Sequence, residues 1–409
     1  MARNRIIYQS EALFVSKTGK TAHSDIKQLQ RIQSINYSFD ITRTDINQFG
    51  QLARIDAIIT EAPTVSLDYS YYCQTGENEV NIGLDVGFID AAAGEGGADD
   101  VTRGSCISGI LQASSLGAAR QDMNTYYIAT HPQGEDAVGN TIEATSVISI
   151  GNAFLTSYSA NGSVGDFVTA DVNAEGLNMM FESGSAGTVN DPTLNEANGT
   201  LLVSPPGGGT VTLPVAIAGT GDSSDDSSYT SANDGDVPIA LRHGDIDLTL
   251  GNPALGYNLG GAEVNAQNFT FSFDLSRTNL EKLGSRFAYS KEIEFPLSAS
   301  LDVSFIIGDI DNSNGNDANL DALENVLNDS GGDPEFECKI RCFGNGQSDG
   351  TSADDSADGL GFKIKGAKLD SQGFSSSIGD NKTMDISASA QIGGPSDLAH
   401  GIEIDHLGD

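Results

Sequence analysis

Four stretches of this chain alternate apolar and polar residues without a break. Ile35, Tyr37, Phe39 and Ile41 interleave with Asn36, Ser38, Asp40 and Thr42, and Val65, Leu67, Tyr69 and Tyr71 interleave with Thr64, Ser66, Asp68 and Ser70. Farther on, Phe269, Phe271, Phe273 and Leu275 stand against Thr270, Ser272, Asp274 and Ser276. Leu297, Ala299, Leu301, Val303 and Phe305 stand against Ser298, Ser300, Asp302 and Ser304. A period of two turns successive side chains to opposite faces. The pattern predicts antiparallel strands, dry on one face and wet on the other.

The four stretches form two copies of one segment. Tyr37 to Tyr72 reads YSFDITRTDINQFGQLARIDAIITEAPTVSLDYSYY, and Phe271 to Ile306 reads FSFDLSRTNLEKLGSRFAYSKEIEFPLSASLDVSFI. Ser38-Phe39-Asp40 matches Ser272-Phe273-Asp274, Arg43-Thr44 matches Arg277-Thr278, and Gly50 matches Gly284. Ser66-Leu67-Asp68 matches Ser300-Leu301-Asp302. An internal repeat of this length governs the fold reading.

The repeat extends beyond the matched segment. A strand is expected over Ile6 to Ser16, with a counterpart over Ile239 to Leu250. After a Gly/Asp-rich run, Ala91 to Arg103, the first copy carries a short helix over Cys106 to Gln121. In the second, Asp317 is an N-cap for a helix over Ala318 to Asn328. Strands are expected at Thr125 to Thr130 and at Glu335 to Phe343. A closing block pairs Ala153, Leu155, Ser157 and Ser163-Val164-Gly165-Asp166 with Ala367, Leu369, Ser371 and Ser377-Ile378-Gly379-Asp380. Partners lie 234 residues apart at Ser38 and Ser272 but 214 apart at Leu155 and Leu369, so the first copy holds the extra residues. Asn178 to Asp236, with its SPPGGGTVTLP and GTGDSSDDSSYTSANDGD runs, lacks a partner and reads as an insert passing into an acidic linker. The expected organisation is a first domain at 1–236, with the insert and linker at about 179–236, and a second at 237–409.

Charge narrows the function classes. The 409 residues hold 57 Asp and Glu against 21 Lys and Arg, a formal net charge of −36. Such a chain repels nucleic acid and anionic lipid, and phosphate neutralisation needs cations it lacks. Cys73, Cys106, Cys338 and Cys342 are too few for a disulfide framework and fit synthesis in a reducing cytoplasm. No apolar run approaches the roughly 20 residues of a membrane span, and no signal peptide is evident.

Sites of known chemistry find little support. Ser16 to Thr21 (SKTGKT) ends like a phosphate loop, but Phe14 stands where its first Gly belongs. Asp309, Asp311 and Ser313 begin a calcium-like loop whose Gly is one position late and whose twelfth position is Leu320. Cys338 and Cys342 share a strand face without a nearby His, which argues against zinc. Five scattered histidines build no triad, and without Trp the chain has no aromatic platform for sugars. The expectation is a non-enzyme without cofactor or bound metal.

The distinctive signal is the wet face. Asp40, Asp68, Asp274 and Asp302 recur at matching positions among Ser38, Ser66, Ser272 and Ser300, with no Lys or Arg on those faces. Ordinary solvated faces mix both charge signs. Here the cations Arg43, Arg54, Arg277, Lys282, Arg286 and Lys291 collect in the loops joining the strands, which suggests a repelling surface beside a separate adhesive contact.

These residues resemble the major tail tube proteins of long-tailed bacteriophages. The resemblance rests on the Tyr37–Tyr72 segment and on AFLTSYSANGSVGDFVTADVNAEGLN (Ala153 to Asn178). It covers most of both halves outside Asn178–Asp236. It implies a mainly β chain: two tandem tail-tube-type β-sandwich or barrel domains, each with a short flanking α-helix. It implies sheets that join around a ring and rings that stack into a hollow tube for the passing genome. The eight Asp and Ser positions above would face the lumen, and the loops Arg43–Ala62 and Arg277–Phe295, with their cations, would touch neighbouring subunits or rings. Most members carry one such domain and form hexamers. Two per chain imply a homotrimer with pseudo-sixfold symmetry. The implied partners are further copies of the chain, tape measure, tail terminator and distal tail proteins, and genomic DNA that passes without specific binding or membrane contact. The implied location is the virion tail after synthesis in the host cytoplasm. Two other classes compete with this reading. An acidic, calcium-stabilised surface or secreted β-sandwich adhesin needs an export signal and metal ligands, and a carbohydrate-active enzyme needs a sugar-stacking site.

Overall fold

The computed structural model describes residues 10–60, 63–89, 105–113, 122–131, 136–138, 146–183, 188–194, 196–197, 200–201, 209–216, 240–241, 246–252, 257–259, 265–283, 290–306, 336–343, 359–376, 381–394, 397 and 399–407. In chain order, β1 (Glu11–Lys17), a 3-10 turn at His23–Asp25 and β2 (Lys27–Leu29) lead into β3 (Ile32–Asp40). The loop that follows forms a hairpin of β4 (Arg43–Ile46) and β5 (Asp56–Ile59) before β6 (Thr64–Tyr72) returns. Then come α1 (Glu77–Ile82), β7 (Val86–Ile89), α2 (Ser108–Ala113), β8 (Met123–Thr130), the long β9 (Ser146–Ser163), β10 (Thr169–Gly176) and β11 (Asn178–Ser183). Small hairpins pair β12 (Thr188–Asn190) with β15 (Thr210–Thr212) and β13 (Glu196–Ala197) with β14 (Thr200–Leu201). The second half repeats the plan with β16 (Ile246–Asn252), β17 (Tyr257–Leu259), β18 (Asn265–Asp274), the hairpin β19 (Arg277–Leu280) and β20 (Ser290–Ile293), and β21 (Leu297–Ile306). It ends with β22 (Phe336–Phe343), β23 (Gly359–Ser375), β24 (Thr383–Ile392) and β25 (Gly401–Leu407). The protein is mainly β, as the alternation predicts.

The two halves share their pairing register down to the irregularities. Asn36 faces Asp68 and Ser38 faces Ser66, while Thr270 faces Asp302 and Ser272 faces Ser300. The β3–β6 ladder slips between Ile32 and Ser34, and β18–β21 slips between Ala266 and Asn268, 234 residues on. Matching bulges interrupt β9–β10 at Thr156 and β23–β24 at Asp370, 214 residues on. A bulge re-aims its strand and is rarely repeated by accident.

Each half is a sandwich sharing one long strand between its layers. The first part of β9 pairs with β8 and β11, the second part with β10 and β18. The change of layer falls at Asn152, whose φ of 52° lies in the left-handed region, and the matching position of β23 is Gly366 at φ 67°. Asn and Gly are the residues that tolerate this conformation. In the first half the layers meet at Tyr69 and Tyr126, whose ring centroids lie 5.9 Å apart. In the second they meet at Phe271 and Phe362, 5.2 Å apart. One hydrophobic cluster runs through both halves.

Four details depart from the sequence reading. The loops of both repeated segments contain hairpins with most residues exposed, so no alternation marks them. Asn178–Ser183, read as the start of the insert, is β11, paired with β9 as β25 is paired with β23. The insert then contributes Val189, Val211 and Leu213 to a second core over Phe14 and Tyr127 of the first half. Of the expected helices, α2 forms within Cys106–Gln121, over Ser108–Ala113, while Ala318–Asn328 lies outside the described residues. Helix α1 was not among the expected elements.

Candidate functional site

The sandwich layers that carry the repeated segments join edge to edge. Among the described residues one ladder runs β3–β6–β10–β9–β18–β21–β24–β23. Because antiparallel partners point to the same side, the wet residues form rows across both halves. One row reads Ser34, Ser70, Asp171, Ser159, Ser272, Ser300 and Ser389. Another sets Asp68 between Asn36 and Asn173, and a third sets Asp302 between Thr270 and Ser387.

The eight predicted wet-face residues therefore share one surface. Asp40, Asp68, Asp274 and Asp302 are exposed, as is Ser38, while Ser66, Ser272 and Ser300 are half-buried. The hydroxyls bind one another sideways: Ser38 Oγ lies 2.7 Å from Ser66 Oγ, Ser272 Oγ 2.8 Å from Ser300 Oγ, and Ser34 Oγ 2.6 Å from Ser70 Oγ. Asn173 Nδ2 donates to Ser157 Oγ at 2.6 Å and Asn161 Nδ2 to Asp171 Oδ2 at 3.0 Å. Short side chains occupied with their neighbours leave a smooth surface whose charge is mostly carboxylate. Sequence reasoning missed Asp171, Asn173, Ser157 and Ser159, because Ala160, Ala170 and Ala174 on the opposite face are weak markers of a dry side. Lys368 on β23, opposite Ser389, is a cation on this side.

The loop cations divide between two settings. Arg43 is exposed at the base of the β4–β5 hairpin, and Arg54 forms an exposed ion pair with Asp45 at 2.7 Å. Lys282 is exposed near the end of β19, and Arg286 lies outside the described residues. Arg277 and Lys291 are buried, and both reach from the second half onto the first. Arg277 Nη1 sits 2.9 Å from Asp122 Oδ2, with its guanidinium 4.6 Å over the Phe154 ring. Lys291 Nζ pairs with Glu175 and lies 5.6 Å over the same ring. Apolar side chains are exposed in the same loops: Phe49 and its repeat partner Leu283 are fully exposed.

The joint between halves is itself a strand pair. Phe269 faces Gly162, Phe271 faces Ala160, Phe273 faces Tyr158 and Asp274 faces Ser157. Tyr158 stacks on Phe273 with centroids 5.5 Å apart, and Leu275 N–H donates to the Thr156 carbonyl at 2.7 Å. On the other layer β25 runs parallel to β7, and Cys106 N–H donates to the Ile402 carbonyl at 2.7 Å.

Among the described residues no group of His, Cys, Asp and Glu is arranged to hold a metal, and no helix is long and apolar enough to cross a membrane. No family model matches the chain, and no curated protein matches it. Solved structures overlap with parts of it. A hybrid solid-state NMR and cryo-EM structure of the SPP1 tail tube overlaps at 11% identity and TM-score 0.26, covering 44% of this chain and 81% of that one. The tail of an empty gene transfer agent particle, refined with C6 symmetry, overlaps at 14% identity and TM-score 0.21, covering 37% and 93%. The virion of a native gene transfer agent particle overlaps at 14% identity and TM-score 0.23, covering 40% and 98%.

Proposed function

We propose that this chain is a structural virion protein that polymerises into rings stacked as a hollow tail tube, with the Ser/Asp face as its lumen. The observation that carries the reading is the continuity of that face across the joint between halves. A single solvated sheet needs no such continuity, whereas a bore wall does. Phosphates sliding past carboxylates meet repulsion, which salt screens beyond a Debye length of about 10 Å at 0.1 M. A wall of short, mutually bonded hydroxyls offers them few replacement cations, with Lys368 at its β23 edge the exception among the described residues. The tandem organisation, residues 1–236 and 237–409, makes each chain two sixths of a ring, so that a homotrimer closes it with pseudo-sixfold symmetry. The loops bearing the exposed Phe49 and Leu283 suit contacts between successive rings. In this role the tape measure, terminator and distal tail proteins would be its further partners, DNA would pass unbound, and no catalysis would be involved.

Electron microscopy of the purified chain tests the reading. Hollow rings or tubes with threefold chemical symmetry are the expected result. A persistent monomer under all assembly conditions, with the tube's initiating proteins supplied, would reject it.

A further inference from the structure

Among the described residues the ladder ends at β3 and at the second part of β23, and both ends present aromatic side chains on the dry side. Phe39 on β3 is 51% exposed and Phe374 on β23 is 48% exposed. Their repeat partners, Phe273 and Ala160, are buried in the joint between halves. The free ends are therefore the two sides of that same joint, each lacking the other.

We infer that a second copy of this chain docks on the open edge by antiparallel strand addition in the register of the internal joint: Tyr37 opposite Phe374, Ser38 opposite Gly373, Phe39 opposite Gln372 and Asp40 opposite Ser371. This rests on the self-assembly reading and specifies its seam. The register follows by carrying the internal pairs back through the repeat. Phe271 facing Ala160 becomes Tyr37 facing Phe374, and Asp274 facing Ser157 becomes Asp40 facing Ser371.

Two further observations agree with it. Phe374 faces the buried Met384 and Tyr37 faces the buried Leu67, so both belong to the dry side, while Gly373 faces Asp385 and Ser38 faces Ser66 on the wet side. The carried register joins dry to dry and wet to wet, and a slip of one residue would reverse every pair. Aromatic contact is also retained. The internal joint pairs Phe273 with Tyr158 and Phe271 with the small Ala160; the new one pairs Tyr37 with Phe374 and leaves Gln372 opposite Phe39. The charged anchors do differ: Lys291 and Glu175 correspond to Ala57 and Ser389, and Phe154 corresponds to Lys368. The seam between chains thus lacks the Lys291–Glu175 ion pair that locks the seam within the chain.

Paired cysteines in the full chain test this register. Directly opposed residues lie about 4.5–5.5 Å apart at Cα, within disulfide reach, and a two-residue slip exceeds the roughly 7 Å limit. Ser38→Cys with Gly373→Cys places both thiols on the wet face, and a Cβ at Gly373 meets nothing within 4 Å. The two sites stand at opposite ends of one chain's ladder, so their disulfide must join different chains. Oxidation should convert the monomer band to interchain species up to a closed trimer. Ser38→Cys with Ser371→Cys, and with Ser375→Cys, should leave monomer. Rings visible by microscopy with a slipped pair linked, or with none linked, would overturn the register while leaving self-assembly standing. Absence of rings from the unmodified chain would remove both.

Discussion

Arg277 of the second half and Asp122 of the first form an ion pair at 2.9 Å whose side chains are 3% and 1% exposed. A pair so deeply buried adds little beyond a hydrophobic equivalent, but breaking it leaves one charge without compensation. Asp122→Ala should therefore lower unfolding free energy by about 3–5 kcal/mol. Arg277→Met combined with Asp122→Leu should recover most of the loss. Urea denaturation of the three proteins decides, and a loss below about 1 kcal/mol for the single variant would show that the joint does not depend on the pair.

Glu79, buried on α1, accepts hydrogen bonds from Tyr71 Oη at 2.7 Å and Tyr158 Oη at 3.0 Å. Burial raises its pKa above the ordinary 4.5, and the tyrosine hydrogen bonds oppose the rise only in part. A folded value above the unfolded one means the folded state holds the proton longer. Its stabilising share is complete below the unfolded pKa and is lost as pH climbs through the folded one. Glu79→Gln keeps an accepting oxygen and removes the charge. Its melting temperature relative to the parent should rise as pH is increased from about 4 to 8. A difference that does not change with pH would contradict this.

Gly366 occupies the left-handed turn where β23 changes layer, and a Cβ there would lie 3.0 Å from the His400 ring. Gly366→Ala should cost about 1–2 kcal/mol from backbone strain alone. Gly373→Ala, on the same strand but in open space, should stay within about 0.5 kcal/mol. Thermal melts of the pair separate conformation from simple loss of glycine.

Replacing Asp40, Asp68, Asp274 and Asp302 with Lys puts cations on an exposed face that holds no core residue. Folding and assembly should survive, because surface changes of this kind usually move stability by less than about 0.5 kcal/mol each. Particles carrying the variant should package DNA and deliver it poorly. Full infectivity would refute the lumen assignment.

The strands β6, β18 and β21 were legible because each buries one face of bulky apolar residues and wets the other, and β3 carries the same alternation although its apolar face is only half covered. The dry faces of β9 and β10 were less so, since Ala160, Ala170 and Ala174 pack there without a strong hydrophobic signature. The β4–β5 and β19–β20 hairpins left no periodic trace, having little buried side to mark. Helix α1 is short and buries Glu79, a residue that sequence alone assigns to the surface. Neither composition nor spacing could reveal that Arg277 and Lys291 turn inward while Arg43 stays exposed. That difference depends on which neighbour the fold supplies, and within one chain only the second half has a first half beside it.

The β9–β18 joint also bears on how a ring could nucleate. Free subunits lose translational and rotational freedom at every association, at an estimated 4–15 kcal/mol each. Covalent linkage turns alternate joints into intramolecular ones at high effective concentration. In the proposed trimer, tandem chains would need two associations to gather a ring's parts where six single-domain subunits would need five. Only the joints between chains then respond to protein concentration. Assembly could be switched on at those joints alone, while the fused ones stay shut in every free molecule.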